Sequence, residues 1–282
     1  MPAPVITLTT DFGLSDHYVG AMKGVILGIC PDAEIVDITH QVSPYAIGEG
    51  AFTIAQAYRY FPPGTVHVVV VDPGVGSGRR PIVVEAAERL FVGPDNGVFG
   101  MIFAREEHTV RLIQNRQYFR EPVSHTFHGR DIFAPVAAHL AAGVAPSRIG
   151  EILKDYVRPP FEIPRQTSVQ TWVGEILKVD RFGNVITNFL AADFPALAEL
   201  TVGQAKARRL LRSYTEAPEG ELAVIAGSSG YLEVSLNRRS AAEKIGCRAG
   251  DVCEIRVGPP GTARLPDFSR TSPRLHQGGA VH

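Results

Sequence analysis

Three short stretches of the chain combine residue types that could do chemistry. The first is Asp72-Pro-Gly-Val-Gly-Ser-Gly-Arg79. Glycines at 74, 76 and 78 let the backbone take positive φ and approach a ligand closely. A carboxylate and a guanidinium bracket them, and an Asp–Arg pair across such a loop would keep the Asp ionised. The stretch is not a Walker motif, because no Gly-Lys-Ser/Thr follows. It is not the dinucleotide fingerprint, because Arg79 stands where the third glycine belongs. The second is Ser124-His-Thr-Phe-His128-Gly-Arg130-Asp131. His125, His128 and Asp131 recur at three-residue intervals and are metal-ligand types, as a metal-dependent phosphohydrolase would use. The same spacing suits a helix amino terminus with Asp131 in its first turn. It also suits an imidazole that accepts a proton or orients a water. No second cluster has metal-like spacing, so no metal is expected. The third is Thr10-Asp11-Phe-Gly13, where Asp11 is either a turn residue or a ligand group. An Asp-Phe-Gly triplet alone does not make a kinase, since no His-Arg-Asp loop accompanies it.

These stretches need elements to position them. Residues 5–10 are a β-branched run, and 16–29 carry Val19, Met22, Val25, Ile26 and Ile29 at helical spacing. Glu34 to Thr39 reads as a strand, ending in Asp37-Ile-Thr-His40. Residues 47–60 read as a helix. His67 to Val71 is a continuous apolar run of the kind buried on both faces of a parallel sheet. Ile82 to Ala86 is another strand, Pro94-Asp-Asn-Gly97 a turn, and 131–142 an Ala-rich helix. This alternation predicts an α/β domain with a mainly parallel sheet and helices on both faces. Ligands of such sheets gather at the carboxyl ends of the strands, where the polar stretches fall.

Prolines at 159, 160 and 164 place a linker within 157–166. Beyond it, strand-like runs at 171–179, 185–190, 222–226, 231–236 and 252–257 suggest a smaller β-barrel or sandwich. Val179-Asp180-Arg-Phe-Gly-Asn184 and Gly227-Ser-Ser-Gly230 read as hairpin loops between them. The expected domains are 1–158 and 168–262, with a loose tail over 263–282.

Composition agrees with that size. The 282 residues suit two domains of roughly 100–200 residues each. Hydrophobic residues at 45%, charged residues at 20% and a mean hydropathy of +0.04 are ordinary globular values. A net charge of −1 argues against a nucleic-acid partner. Cys30, Cys247 and Cys253 are odd in number and lack CxxC spacing, so no disulfide framework or zinc ribbon is expected. With no signal-like amino terminus and no membrane-length apolar run, the expected location is the cytoplasm.

Six motifs in register carry a resemblance. They are Thr-Asp11-Phe-Gly, Asp37-Ile-Thr-His40, Asp72-Pro-Gly-Val-Gly-Ser-x-Arg79, Gly93-Pro-Asp-Asn-Gly97, Phe127-His128-Gly-Arg-Asp131 and Asp180-Arg-Phe-Gly-Asn184. Over residues 5–258 the chain resembles the S-adenosyl-L-methionine (SAM) hydroxide adenosyltransferases, relatives of the SAM-dependent fluorinase and chlorinase. The resemblance implies hydrolysis of SAM to adenosine and L-methionine, without a cofactor. It implies an α/β amino-terminal domain and a β-barrel carboxyl-terminal domain. It also implies a homotrimer with sites at subunit interfaces. The family's Asp-Arg-His set falls on Asp72, Arg79 and His128, and its ribose-diol carboxylate on Asp11. Asp180 and Ser228 match positions holding the methionine end, and Phe182 and Asn184 match positions around the adenosine. Glu233 lies in the matching strand after the Ser-Ser-Gly turn. Tyr45 sits where the halogenases place an aromatic over the sugar. The halogenases lack the Asp-Arg-His set, which this chain retains, so water rather than a halide is the expected nucleophile. An Asp paired with Arg is a weak base, which favours His128 as proton acceptor with Asp72 orienting the water. The rival readings are a halogenase, the metal phosphohydrolase named above, and a non-catalytic SAM or adenosine sensor.

Overall fold

The computed structural model describes residues 2–158, 163–195 and 197–258; the expected tail and prolines 159 and 160 lie outside the described residues. The chain divides into two compact units, Met1–Phe161 and Glu162–His282.

The first unit contains β1 (Val5–Thr10), α1 (Tyr18–Ile29), β2 (Glu34–Thr39), α2 (Ile47–Ala57), β3 (Val66–Val70), β4 (Pro81–Ala86), β5 (Arg89–Pro94), α3 (Gly100–Arg105), β6 (His108–Leu112), α4 (Ala134–Ala141) and α5 (Pro146–Ile149). Among the described residues its strands form a six-stranded sheet in the order β2-β1-β3-β5-β4-β6. β2, β1, β3 and β5 run parallel, while β4 is antiparallel to both β5 and β6. The reversal has a local cause. Only Ala87 and Glu88 separate β4 from β5, and both have positive φ, at 50° and 59°. A two-residue turn of that hand joins antiparallel strands. The mainly parallel expectation therefore holds for one side of the sheet and fails at the β4–β6 edge.

Both faces of β1 and β3 are covered. Ile6 and Leu8 with Val66, Val68 and Val70 pack on Met22 and Ile26 of α1 and on Val136 and Leu140 of α4. Burying each such aliphatic side chain contributes about 1.5–3 kcal/mol. α2 contacts β1 and β3. Thr7 and His67 are also fully buried, and the His67 ring stacks on Phe91 at 5.0 Å. Burial, aided by the charge of Arg89, pushes the His67 imidazole down to about 3.

The second unit contains β7 (Arg165–Ser168), β8 (Thr171–Val179), β9 (Val185–Leu190), β10 (Leu197–Val202), β11 (Ala205–Ala207), β12 (Leu210–Leu211), β13 (Leu222–Ala226), β14 (Tyr231–Leu236), α6 (Ala241–Ile245) and β15 (Val252–Val257). Its nine described strands follow the path β11-β10-β15-β8-β9-β14-β13-β12, with β7 added on β8. Leu200 of β10, Phe189 of β9, Val224 of β13 and Ile255 of β15 share one core. A flat sheet could not bring strands from both halves of that path onto one core, so the sheet curls around it as a half-barrel. Among the described residues, no helix is long and apolar enough to cross a membrane.

Candidate active site

Thr10 lies opposite Val70 in the parallel β1–β3 pair. Asp11 and Asp72 therefore leave the sheet at the same edge, the carboxyl ends of neighbouring strands. The 72–79 loop closes on itself through Val75 N–H to Asp72 O (3.2 Å) and Ser77 N–H to Gly74 O (3.1 Å). Gly76 has φ 77°, and a Cβ there would fall 2.2 Å from the His125 carbonyl oxygen. Only glycine lets this loop touch the segment that carries His128.

Arg79 joins the cluster. Its Nε donates to Asp72 Oδ1 at 3.0 Å and Oδ2 at 2.9 Å, and its Nη2 also donates to Oδ2. The same Nη2 lies 2.8 Å from His128 Nδ1. The side chains of Arg79 and Asp72 are only 9% and 4% exposed, and the guanidinium stacks 5.1 Å over the Phe133 ring. Its Nη1 is buried with no hydrogen-bond partner among the described residues.

The contact with Arg79 assigns the His128 tautomer. Guanidinium nitrogens only donate, so Nδ1 must accept and the ring proton of the neutral form sits on Nε2. Burial and then the Arg79 charge lower the His128 pKa, outweighing the opposing pull of Asp72 and Asp131. The ring is thus held neutral, offering an N–H from Nε2.

Asp131 is engaged by its basic neighbours. Its fully buried carboxylate accepts from Arg130 Nε (2.7 Å) and Nη2 (2.8 Å), from Ser124 N–H (2.9 Å) and from Arg120 (3.4 Å). Burial would raise this acid, but Arg130 and the Ser124 N–H outweigh it and hold it below the ordinary carboxylate range. The network shapes the 124–128 segment ahead of a π-type turn, Gly129–Phe133, that enters α4. Among the described residues no three His, Cys, Asp or Glu side chains converge as a metal ion would need. Sequence reasoning did not find the aromatic cluster that knits this segment to the β1–α1 loop. Phe127 meets Tyr18 at 5.1 Å and Phe12 at 6.0 Å. Phe12 and Phe127 lie in the Asp-Phe-Gly and Phe-His-Gly-Arg-Asp motifs, the signals that pointed there.

Asp11 and Tyr45 meet through the backbone, Tyr45 N–H donating to Asp11 Oδ2 at 2.9 Å. Tyr45 has φ 67° and its side chain is 73% exposed. A non-glycine residue in the left-handed region stores strain, and here the strained residue gives its N–H to Asp11 and carries an exposed ring.

In the second unit, Asp180, Phe182 and Asn184 form one turn between β8 and β9. Asp180 Oδ1 accepts from Phe182 N–H (2.8 Å) and Asn184 N–H (2.9 Å), and Oδ2 accepts from Asn184 Nδ2 (2.8 Å). Phe182 is 77% exposed. Ser228 lies in the β13–β14 turn, closed by Gly227 N–H to Tyr231 O at 2.9 Å. Glu233 is buried beneath that turn, with Tyr214 OH donating to it. Burial, with the Asp180 charge nearby, raises its pKa.

The family model described as the SAM hydroxide adenosyltransferase N-terminal domain matches residues 6–150, and its C-terminal counterpart matches 174–254. A Salinispora tropica protein named (R)-S-adenosyl-L-methionine hydrolase is 39% identical, covering 91% of this chain and 99% of the relative. A Nocardia brasiliensis fluorinase is 29% identical, covering 90% and 97%. The crystal structure of a conserved Thermotoga maritima protein superposes with a TM-score of 0.82 at 39% identity, covering 89% and 99%. The chain belongs to the SAM hydroxide adenosyltransferase family.

Proposed function

We propose that this protein hydrolyses (R)-S-adenosyl-L-methionine to adenosine and L-methionine by attack of one water at ribose C5′. The observation that carries the reading is the Arg79 guanidinium bridging the buried Asp72 side chain and the half-buried His128. The name borne by the Salinispora tropica relative supports the substrate and its epimer.

A sulfonium leaves without protonation, so the reaction lacks only a competent nucleophile. Water is a weak one and must be oriented and relieved of its proton. Asp72 Oδ1 takes a single Arg79 contact and keeps capacity to accept from a water. His128 donates its Nε2–H to the same water oxygen. The tautomer argues for the reverse of the sequence-based assignment: His128 orients and Asp72 accepts. As the O–C5′ bond forms, the C5′–S pair passes to sulfur and the water oxygen becomes strongly acidic. A weak base held in place then suffices, and the proton moves to Asp72 and on to solvent. Asp11 accepts from both ribose hydroxyls, with the Tyr45 ring over the sugar. Asp180 and Ser228 hold the methionine end, and Phe182 and Asn184 flank the adenosine. Glu233 lies beneath the Ser228 turn.

The reading includes a homotrimer with sites at subunit interfaces, a barrel-like carboxyl-terminal domain, domain limits of 1–158 and 168–262, a cytoplasmic setting and no cofactor. Incubation of the purified protein with (R)- and (S)-SAM, followed by product separation, tests it. Adenosine and methionine in equal amounts from the (R)-epimer are expected, with EDTA and added halide without effect. Tight binding without products would indicate a sensor, loss with EDTA a metal enzyme, and a 5′-halo-nucleoside a halogenase.

A further inference from the structure

We propose that His40 is a positioning residue for ribose recognition, fixing the direction of Asp11 through Thr10. The proposal rests on the reading of Asp11 as the carboxylate that binds the diol. His40 follows β2 and is 3% exposed. Its Nδ1 lies 2.8 Å from Thr10 Oγ1, and that hydroxyl also accepts from Phe12 N–H at 3.3 Å. The Thr10 side chain thus spans the peptide units on either side of Asp11. The two backbones are tied as well, Gly13 N–H donating to His40 O (2.8 Å) and Val42 N–H to Thr10 O (3.3 Å).

The far side of the ring has charged support. His40 Nε2 lies 3.0 Å from Asp37 Oδ1, off the N–H axis, so the attraction is electrostatic rather than an aligned hydrogen bond. Asp37 Oδ2 takes Lys23 Nζ at 2.6 Å. Burial works to raise the Asp37 carboxyl, and Lys23 and His40 outweigh it, holding it below its ordinary value. A carboxylate beside Nε2 keeps the ring proton there and leaves Nδ1 as acceptor. The Thr10 hydroxyl then has one consistent direction: it donates to His40 and accepts from Phe12. His67 shows what a histidine that only fills the core looks like in this fold. It bonds Thr7 Oγ1 at 2.7 Å, and among the described residues its Nε2 has neither a hydrogen-bond partner nor a carboxylate in ion-pair range. Support of the Asp37–Lys23 kind has a use where the partner threonine precedes a ligand group. One Asp11 oxygen already takes the Tyr45 N–H, so a rotation of the 10–12 backbone would turn the carboxylate away from the diol.

The test compares binding of adenosine and 2′,3′-dideoxyadenosine to the full-length protein by calorimetry. Two hydroxyls on one carboxylate predict roughly a hundredfold preference for adenosine in the wild type. In His40→Ala the preference falls by about tenfold, KM for SAM rises, and kcat stays within about twofold. His40→Asn, whose amide oxygen can replace Nδ1 beside Thr10, restores the preference. His40→Gln, whose amide reaches the Nε2 position, does not, and this pair decides the matter if the alanine variant fails to fold. An unchanged preference in His40→Ala or His40→Gln, or a loss confined to kcat, overturns the proposal. A wild type that binds both nucleosides equally overturns the reading of Asp11 itself, and the proposal with it.

Discussion

The candidate clusters of the two units are built by opposite means. In the first unit, Asp72, Arg79 and His128 come from segments 7 and 49 residues apart. In the second, the three side-chain hydrogen bonds of Asp180 all close within four residues. A network of distant parts exists only when the sheet, the 72–79 loop and the 124–128 segment are all in place, so its members succeed or fail together. A local turn forms from its own sequence, and we propose that this one works as a shelf for the ligand. On the proposed reading, chemistry that needs a tautomer and a buried carboxylate falls to the first kind, and affinity to the second.

The largest effect tests the unity of the network. Asp72→Ala is expected to lower kcat by roughly 10²–10⁴, and to lower the melting temperature as well, because it leaves the Arg79 guanidinium buried without its carboxylate. His128→Ala on top of it should add little, because residues that act as a unit are non-additive. Independent, multiplying losses in steady-state kinetics would break the contrast. A smaller effect is expected from Asp180→Ala, which loses three turn hydrogen bonds. KM should rise by roughly tenfold while kcat changes little. A kcat loss as deep as that of Asp72→Ala would show that the two clusters are not separated in role.

The smallest effect is on stability in mild acid. His67, His128 and His139 all have pKa values lowered by burial. The unfolded chain binds protons near 6.5 where the folded first unit does not, so its stability falls as pH drops below 6.5. The described second unit has no histidine, and its Glu199, lowered by Arg208 and Lys206, costs stability only below about 4.5. Between pH 6.5 and 4.5, proteolysis should quicken in residues 2–158. Fluorescence of Trp172, the single tryptophan, should stay constant. A parallel change in both would remove the distinction.

The sequence was legible where its signals were local. The 5–10 and 34–39 strands, the His67–Val71 run and the Asp180–Asn184 turn carry their own periodicity or turn chemistry, and the structure has them, with the third strand one residue earlier at Val66–Val70. β5 was hidden because Arg89–Pro94 ends in Gly-Pro and follows β4 after two residues. β10 to β12 were hidden because Leu197–Val202 mixes Glu199 into its buried face, where Lys206 and Arg208 neutralise it, and the next two strands are three and two residues long. At the site, the seven-residue spacing of Asp72 and Arg79 was readable. The tautomer of His128 was not, because it depends on Arg79, a contact 49 residues away. Asp131 carried a metal-like pattern, but its arginine neighbours decide its use.

The most direct test of water attack at C5′ through Asp72 is turnover of SAM in H₂¹⁸O, with mass spectrometry of both products. The expected result is one ¹⁸O in the 5′-hydroxyl of adenosine, none in methionine, and almost no labelled adenosine from Asp72→Ala. Adenosine without the label, or labelled adenosine formed at a near-normal rate by Asp72→Ala, would contradict it.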